Sequence, residues 1–147
     1  MAVVLSLLKD TDKAIDNTIM AVRLDNTNLN YRYNLAVLYQ FRDNDGDRAN
    51  AEGLFNDILS VNDKLVDVHL SLGLLYEKED KKDSAIAEYK KILDLLPADS
   101  EGNVKQTRDQ VKQFISNVQN GTGNLTKKKA DTAPTAEVAP VAPQAPT

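Results

Sequence analysis

An acidic stretch at residues 43–47 (Asp-Asn-Asp-Gly-Asp) has the residue types that could hold a divalent cation. If Gly46 takes the sixth position of a calcium-binding loop, the three aspartates fall at positions 3, 5 and 7, and Glu52 falls at position 12. Position 1 is then Phe41, which has no oxygen ligand. A calcium site here would be weak, and the alternative is a solvent-exposed turn before a helix. The sequence therefore predicts no bound metal.

Catalytic side chains are scarce as well. His69 is the sole histidine and the chain has no cysteine, which excludes histidine pairs, disulfides and thiolate zinc sites. The phosphate-binding, zinc-protease and serine-hydrolase motifs do not occur. We expect His69 to be a packing residue that, if buried, makes the protein sensitive to pH. The sequence therefore predicts neither a catalytic residue nor a cofactor, and we do not expect an enzyme.

Charge and hydropathy narrow the choice of partners. The formal net charge is −4, and the longest basic run, at 127–129, is only three lysines, so a nucleic-acid partner has no electrostatic support. The apolar stretch at residues 2–8 is too short to span a membrane, and no basic residue precedes it as in an export signal. We expect a protein or peptide partner and no direct membrane insertion. The compartment does not follow from the sequence. The chain as given is expected to be soluble, and within a longer protein it would be cytoplasmic or associated with the cell envelope.

Apolar residues recur at intervals of three and four along most of the chain, as on one face of an amphipathic helix. The clusters fall at residues 35–39, 54–59, 72–76 and 85–93. Short polar segments at 43–47 and 79–83 separate successive clusters, and no segment shows the alternation that is typical of a half-buried strand. The spacing therefore predicts an all-α chain of short helices.

One segment, residues 66–99, carries a pattern that recurs earlier in the chain. Its distinctive residues are Leu72, Gly73, Tyr76, Ala85, Tyr89 and Pro97. The corresponding residues of segment 29–65 are Leu35, Ala36, Tyr39, Ala51 and Phe55. Residues 1–28 repeat mainly the second half of the pattern, with Ala14, Thr18 and Ala21, so that part of a first helix is missing. The chain therefore contains an internal repeat.

This pattern resembles the tetratricopeptide repeat (TPR) family, whose repeating unit is a pair of helices about 34 residues long. One departure is His69, which occupies the slot where the pattern usually has Trp. The resemblance implies a right-handed α-α superhelix made of a partial hairpin at 1–28 and complete repeats at 29–65 and 66–99. Small residues would let the two helices of a hairpin approach closely, and four aromatic residues would fill the space between hairpins. These aromatic residues are Tyr39, Phe55, Tyr76 and Tyr89.

Two further segments follow the repeats. Residues 100–120 place Val111, Ile115 and Val118 on one stripe, which predicts a C-terminal capping helix that covers the last repeat. Residues 121–147 contain four of the five prolines and lack aromatic residues. Such a composition cannot bury enough apolar surface to offset the entropy lost on ordering, so we expect a disordered tail.

The resemblance also implies a binding site, because members of the family commonly bind a peptide in the concave groove formed by the first helices. The groove positions map to Asn30, Tyr33, Asn34, Val37, Phe41, Asp67, Leu70, Ser71, Leu74 and Lys78. Some members clamp a C-terminal carboxylate with Lys and Asn, but those positions hold Tyr33, Val37, Leu70 and Leu74 here. The groove is therefore expected to be mainly apolar and to suit a hydrophobic segment or a helix. The same residues could instead pack against neighbouring helices, and both interpretations stay open.

Three functional hypotheses remain. The first is a protein-interaction scaffold that binds a peptide or helix in its groove. The second is a C-terminal repeat block of a larger, possibly membrane-anchored bacterial protein whose enzymatic part lies elsewhere, since the first hairpin is incomplete. The third is self-association through the N-terminal hairpin, which should expose the apolar residues Val4, Leu7, Leu8 and Ile15.

Overall fold

The computed structural model describes the backbone of residues 2–124 and the side chains of residues 10–124. This part of the chain contains six helices and no strand, which confirms the all-α prediction. The helices are α1 (Ala2–Leu24), α2 (Leu29–Arg42), α3 (Asp47–Val61), α4 (Val66–Lys78), α5 (Lys82–Leu95) and α6 (Gly102–Gln119). None of these described helices has both the length and the apolar character needed to cross a bilayer. Most of the segment predicted to be a tail, residues 125–147, lies outside the described part.

The helices pack mainly against their neighbours in the chain. α2 packs against α3, and α4 packs against α5, so that each pair forms a hairpin closed by a short connection. Contacts of α4 with α2 and α3 join the two hairpins, while α1 packs on α2 and α6 packs on α5. This arrangement is a stack of helical hairpins, in which each unit completes the core of the next. The fold class predicted from the repeats is confirmed.

Two buried apolar clusters hold the stack together. The first joins α2, α3 and α4 and contains Ala36, Ala51, Phe55, Ile58, Val68, Leu72 and Leu75. The second joins α5 and α6 and contains Ala85, Tyr89, Ile92, Val111 and Val118. Phe55 and Tyr89 are fully buried, and Tyr39 and Tyr76 are half-buried against the clusters. The prediction placed these four residues between hairpins. Tyr39, Phe55 and Tyr76 belong to or pack against the cluster that joins the two hairpins, whereas Tyr89 packs against Gly73 of its own hairpin and Phe114 of α6. Complete burial of a large ring, as for Phe55 and Tyr89, contributes about 2–3 kcal/mol.

Two helices approach closely where Gly73 of α4 faces Tyr89 of α5. A Cβ atom at position 73 would lie only 2.3 Å from Cε1 of the Tyr89 ring. The ring is completely buried, and its hydroxyl donates a hydrogen bond to the Glu77 carboxylate on α4. Burial, followed by this hydrogen bond, raises the pKa of Tyr89 well above that of a free tyrosine. The glycine of the repeat pattern is therefore required because the ring occupies the space of a side chain.

The N-terminal segment differs from the prediction. A partial hairpin was expected at 1–28, but Ala2–Leu24 is one continuous helix. No glycine or proline interrupts this segment, and polar residues alone do not end a helix when they face water. The prediction that Ile15 is exposed is wrong, because its side chain is only 3% exposed. The side chains of residues 1–9, which include the other three residues of that prediction, lie outside the described part.

Candidate functional site

The groove predicted from the sequence runs along α2 and α4, the first helices of the two hairpins. An open pocket lies at the N-terminal ends of these helices. It is lined by Leu29, Asn30, Tyr33, Ile58, Leu65, Val66, Asp67 and Val68. Three of the predicted groove residues, Asn30, Tyr33 and Asp67, therefore meet at one pocket.

The first turns of the two helices position the rim of the pocket. α2 begins with Asn28 as its N-cap, whose side-chain oxygen accepts from the backbone amides of Asn30 and Tyr31 at 3.1 and 3.3 Å. α4 begins after Leu65, whose carbonyl oxygen accepts from the amides of Val68 and His69. Asn30 and Asp67 both lie in these first turns and are exposed. The pocket therefore presents one amide and one carboxylate to the solvent.

Polar contacts close the floor of the groove between α2 and α4. The hydroxyl oxygens of Tyr33 and Ser71 lie 3.3 Å apart, and the Tyr33 ring packs at a tilt against Phe55. Ser71 is buried, and its hydroxyl donates to the carbonyl oxygen of Asp67 at 2.9 Å. Gln40 Nε2 donates to the carbonyl oxygen of Ser71 at 3.2 Å. Ser71 therefore connects the two helices and presents little surface to a partner.

The other predicted groove residues divide between packing and exposure. Val37 packs against the first cluster and Leu70 against the second. Asn34 and Leu74 are half-buried. The last two predicted residues lie at the C-terminal ends of α2 and α4. Phe41 is 46% exposed, and Lys78 Nζ donates to the carbonyl oxygen of Gln40 at 3.1 Å. The apolar side chains mostly serve the core, so that the accessible surface is a mixed one with its pocket at one end.

The acidic stretch at 43–47 forms ion pairs that join helices. Asp47 is 1% exposed, and its carboxylate accepts from Nε and a terminal nitrogen of Arg42 at 2.8 and 2.6 Å. Another nitrogen of Arg42 donates to Asp12 of α1 at 2.8 Å. The Arg42 guanidinium holds the pKa of Asp47 below its usual value, although burial opposes this shift. Through Arg42, these ion pairs therefore hold α1, α2 and α3 in their relative positions.

Other carboxylates considered as calcium ligands also have partners. Asp43 accepts from Arg48 Nε at 2.7 Å, and Glu52 accepts from the hydroxyl of Tyr76 at 2.9 Å. Among the side chains that the structure describes, no group of three or more histidine, aspartate or glutamate residues is arranged to hold a metal ion. The carboxylates of Asp43, Asp47 and Glu52 are therefore used for ion pairs and hydrogen bonds within the fold.

Sequence reasoning missed several residues that shape the site. Leu29, Leu65 and Val66 line the pocket. Two of them, Leu29 and Leu65, stand just where a helix begins, outside the apolar clusters that the periodicity identified. It also missed Glu88, which contacts the buried His69 from α5. The sequence does place the Glu88 carboxylate directly before the packing residue Tyr89. A single charged residue beside an apolar helix face, however, does not indicate which residue it contacts.

The helices, their pairing and the groove define a helical-hairpin repeat fold of the TPR type. In agreement, the chain is similar to the crystal structure of the Sgt2 TPR domain from Aspergillus fumigatus, with a TM-score of 0.56 and 21% identity. The similarity covers 86% of this chain and 82% of that chain. At this level of identity the similarity shows the fold alone. No protein-family model matches the sequence, and no curated protein matches it.

Proposed function

We propose that this chain is a protein-interaction scaffold that binds a peptide or a helix of another protein along α2 and α4, and that it catalyses no reaction. The observation that supports this proposal most is the open pocket at the start of both helices. Its walls are apolar, Tyr33 contributes an aromatic ring, and Asn30 and Asp67 stand at the rim. Binding sites combine apolar surface with a few polar groups in this way, because apolar burial supplies affinity and polar groups fix orientation.

The two ends of the groove set the length of a bound segment. Asn30 and Phe41 lie eleven residues apart on α2, which is about 16 Å at 1.5 Å per residue. About five extended residues or three turns of a helix span this distance. An apolar side chain of the partner would enter the pocket beside Tyr33, and a second one would contact the exposed ring of Phe41. The Asp67 carboxylate favours a partner with an N–H donor or a basic residue near the first anchor.

This proposal predicts that positive charge introduced at the pocket rim weakens binding strongly while the fold persists. We expect the double variant Asn30→Arg/Asp67→Arg to lose at least tenfold in affinity, because an arginine pair at the rim blocks the pocket and removes the carboxylate. A random dodecapeptide library displayed on phage supplies the probe. Peptides enriched on the wild-type chain are synthesised, and their dissociation constants are measured by calorimetry for both proteins.

The matched control is Asn56→Arg/Asp57→Arg, which makes the same two changes at exposed positions of α3 outside the pocket. This variant is expected to bind the peptides as the wild type does, and the helical circular dichroism of all three proteins should agree. Equal affinity of the rim variant and the wild type would show that the peptides bind elsewhere. A library in which nothing is enriched would count against peptide binding itself.

The alternative is a C-terminal repeat block of a larger and possibly membrane-anchored bacterial protein. It is compatible with the packing of α1 on α2, which extends the stack of helices by one. In that arrangement the catalytic activity would belong to the remainder of the larger protein. An open reading frame that continues upstream of Met1 would support this alternative, and a stop codon directly upstream would contradict it.

Self-association through α1 is a further proposal, and the exposed apolar residues that support it differ from those predicted from the sequence. Met20 and Leu24 are 63% and 86% exposed on this helix, whereas Ile15 is buried. We expect light scattering to show a mass that rises with concentration for the wild type and stays monomeric for Met20→Glu/Leu24→Glu. Exposed apolar side chains favour association because water is released from both surfaces. A mass that does not change with concentration in the wild type would contradict this proposal.

A further inference from the structure

Both ring nitrogens of the buried His69 face groups that accept hydrogen bonds. Nε2 lies 2.9 Å from the backbone carbonyl oxygen of Asp63, in the connection between α3 and α4. Nδ1 lies 2.7 Å from Oε2 of Glu88 on α5. The side chains of His69 and Glu88 are only 4% and 10% exposed, so little of either group is accessible to water. The hydrogens needed for these two contacts can therefore be counted.

The count requires one extra proton. A carbonyl oxygen only accepts, so Nε2 must carry a hydrogen. A neutral imidazole then has a bare lone pair on Nδ1, and an ionised Glu88 would bring a second lone pair within 2.7 Å of it. The contact is a hydrogen bond only if a proton lies between them, on Nδ1 or on the carboxyl group. The folded pair therefore holds a proton that a neutral histidine and an ionised glutamate do not have.

We propose that His69 and Glu88 form a proton-holding pair that fixes the α3–α4 connection, and with it one wall of the pocket, as long as the shared proton is bound. The connection between the two repeats ends at Leu65, which lines the pocket together with Val66. Loss of the proton would break the contact of Nδ1 with Glu88. The ring would then lose its anchor on α5, and the connection held through Nε2 would loosen.

The groups around the pair come from three helices and the connection. On α5, Lys91 Nζ donates to Oε1 of Glu88 at 2.8 Å, which leaves Oε2 to His69. On α4, burial and then nearby carboxylates, Glu88 among them, raise the pKa of Tyr76. The Tyr76 hydroxyl donates a hydrogen bond to Glu52 of α3. In the connection, the Asp63 residue is exposed, and its backbone oxygen makes the contact. Lys91 is thus the charged neighbour of the carboxylate, and it binds the oxygen that His69 does not contact.

The sign of the pH dependence follows from the proton count. In the unfolded chain an ordinary histidine loses its proton near pH 6.5, and glutamate is already ionised there. Above this pH folding takes up one proton, so the ratio of folded to unfolded protein falls as pH rises, by up to tenfold per pH unit. This fall continues until the folded pair releases its proton. No other side chain ordinarily changes charge in this range, because the chain has one histidine and no cysteine.

The single histidine makes a direct test possible. Nitrogen chemical shifts of the imidazole ring and the carboxyl carbon shift of Glu88 are measured by NMR on the folded full-length chain at pH 7.5. We expect signals of a doubly protonated ring beside an ionised carboxylate. A proton found on Glu88 instead would also support the pair. A neutral ring beside an ionised carboxylate at this pH would overturn the proposal.

The second test uses Glu88→Gln, whose amide has the same shape. Its N–H can donate to Nδ1 of a neutral ring while its oxygen still accepts from Lys91, so the contacts persist without the extra proton. Urea unfolding is followed between pH 6.5 and 8.5. The folded-to-unfolded ratio of the wild type should fall several-fold over this range, and that of Glu88→Gln should stay nearly constant. Lys91→Gln, the control that keeps the pair, should retain the fall.

Equal pH dependence of the wild type and Glu88→Gln would overturn the proposal. If the variant does not fold, the NMR measurement on the wild type decides by itself. The effect on the pocket wall is read from hydrogen exchange of the Val68 and His69 amides, which donate to the Leu65 carbonyl oxygen. Their protection should fall between pH 6.5 and 8.5 in the wild type relative to Glu88→Gln. Any effect on partner affinity rests on the proposed function, whereas these three measurements stand even if no peptide binds.

Discussion

Replacing Gly73 with alanine is expected to lower the free energy of unfolding by about 3 kcal/mol, the upper end of what overpacking costs. The new Cβ would lie 2.3 Å from Cε1 of Tyr89 and 2.8 Å from two further ring atoms. The ring cannot move aside easily, because it is fully buried and its hydroxyl is bound to Glu77. Urea unfolding of Gly73→Ala followed by circular dichroism measures the loss.

The same substitution at Gly53 is the matched control and should have the opposite sign. Gly53 lies within α3, is exposed, and has no atom within 4 Å of the position of a Cβ. Gly53→Ala should therefore raise the free energy of unfolding by about 0.5–1 kcal/mol, since alanine loses less backbone entropy in a helix. If Gly73→Ala were neutral or stabilising, the close contact between α4 and α5 would be contradicted.

A second substitution identifies the cause of the loss at Gly73. Tyr89→Leu removes the ring atoms that the new Cβ would meet, and it is itself expected to be destabilising because it leaves a cavity. The effects of Gly73→Ala and Tyr89→Leu should be less than additive by roughly 1 kcal/mol or more, as is typical of residues in direct contact. Additive effects would show that the cost at Gly73 has another origin.

Replacing Asp47 with asparagine is expected to lower the free energy of unfolding by about 2–3 kcal/mol. Removing one partner of a buried ion pair typically costs about 3–5 kcal/mol. The value here should lie below that range because the Arg42 side chain is 20% exposed and keeps Asp12 as a partner. The loss itself arises because Arg42 makes two hydrogen bonds to the Asp47 carboxylate, and a neutral amide cannot accept both or balance the guanidinium charge. Urea unfolding at pH 7 measures the change.

Asp43→Asn is the matched control, since it makes the same change in the same turn. Asp43 pairs with Arg48 near the surface, where the two side chains are 31% and 41% exposed. Exposed ion pairs contribute about 0–1 kcal/mol, so the loss should be below 1 kcal/mol. Asparagine also tolerates the left-handed backbone of this position, whose φ is 55°. Equal losses for both variants would contradict the buried role of Asp47.

The same ion pair predicts how stability depends on acid. The pKa of Asp47 is lowered in the folded protein, chiefly by its hydrogen bonds from Arg42. Its contribution is therefore complete above the ordinary aspartate pKa of about 3.9, and it is lost as the pH falls through the lower value of the folded state. Thermal unfolding is measured between pH 2.5 and 6. As the pH falls, the melting temperature of the wild type should decrease more steeply than that of Asp47→Asn. Parallel curves would contradict the lowered pKa.

The helices and their pairing could be predicted from the sequence because both depend on local, repeated features. Apolar spacing of three and four residues defines a helix face wherever it occurs. The recurrence of Leu72-Gly73 as Leu35-Ala36, and of Ala85 and Tyr89 as Ala51 and Phe55, indicated that the same hairpin is built twice. The error at the N-terminus has the same origin, since a partial match to the repeat suggested a break that no helix-breaking residue enforces.

The candidate site could be predicted only in part. Asn30, Tyr33 and Asp67 line one pocket, because their places are set by the phase of each helix. Ser71 shares that phase and is nevertheless buried. The phase of a helix says which side of it a residue faces, but not how near the neighbouring helix lies.

The helices, the hairpins and most residues of their interior can be predicted without the structure, because they follow from periodicity and side-chain size along the chain. Which polar groups meet depends on how the helices pack in three dimensions. His69 finds Glu88 on the next helix, and Glu77 accepts from the backbone amide of Asn124, 47 residues away. These contacts depend on the offset and rotation with which helices stack. A polar pair at 2.7 Å exists or is lost with shifts of about 1 Å, whereas an apolar face tolerates them.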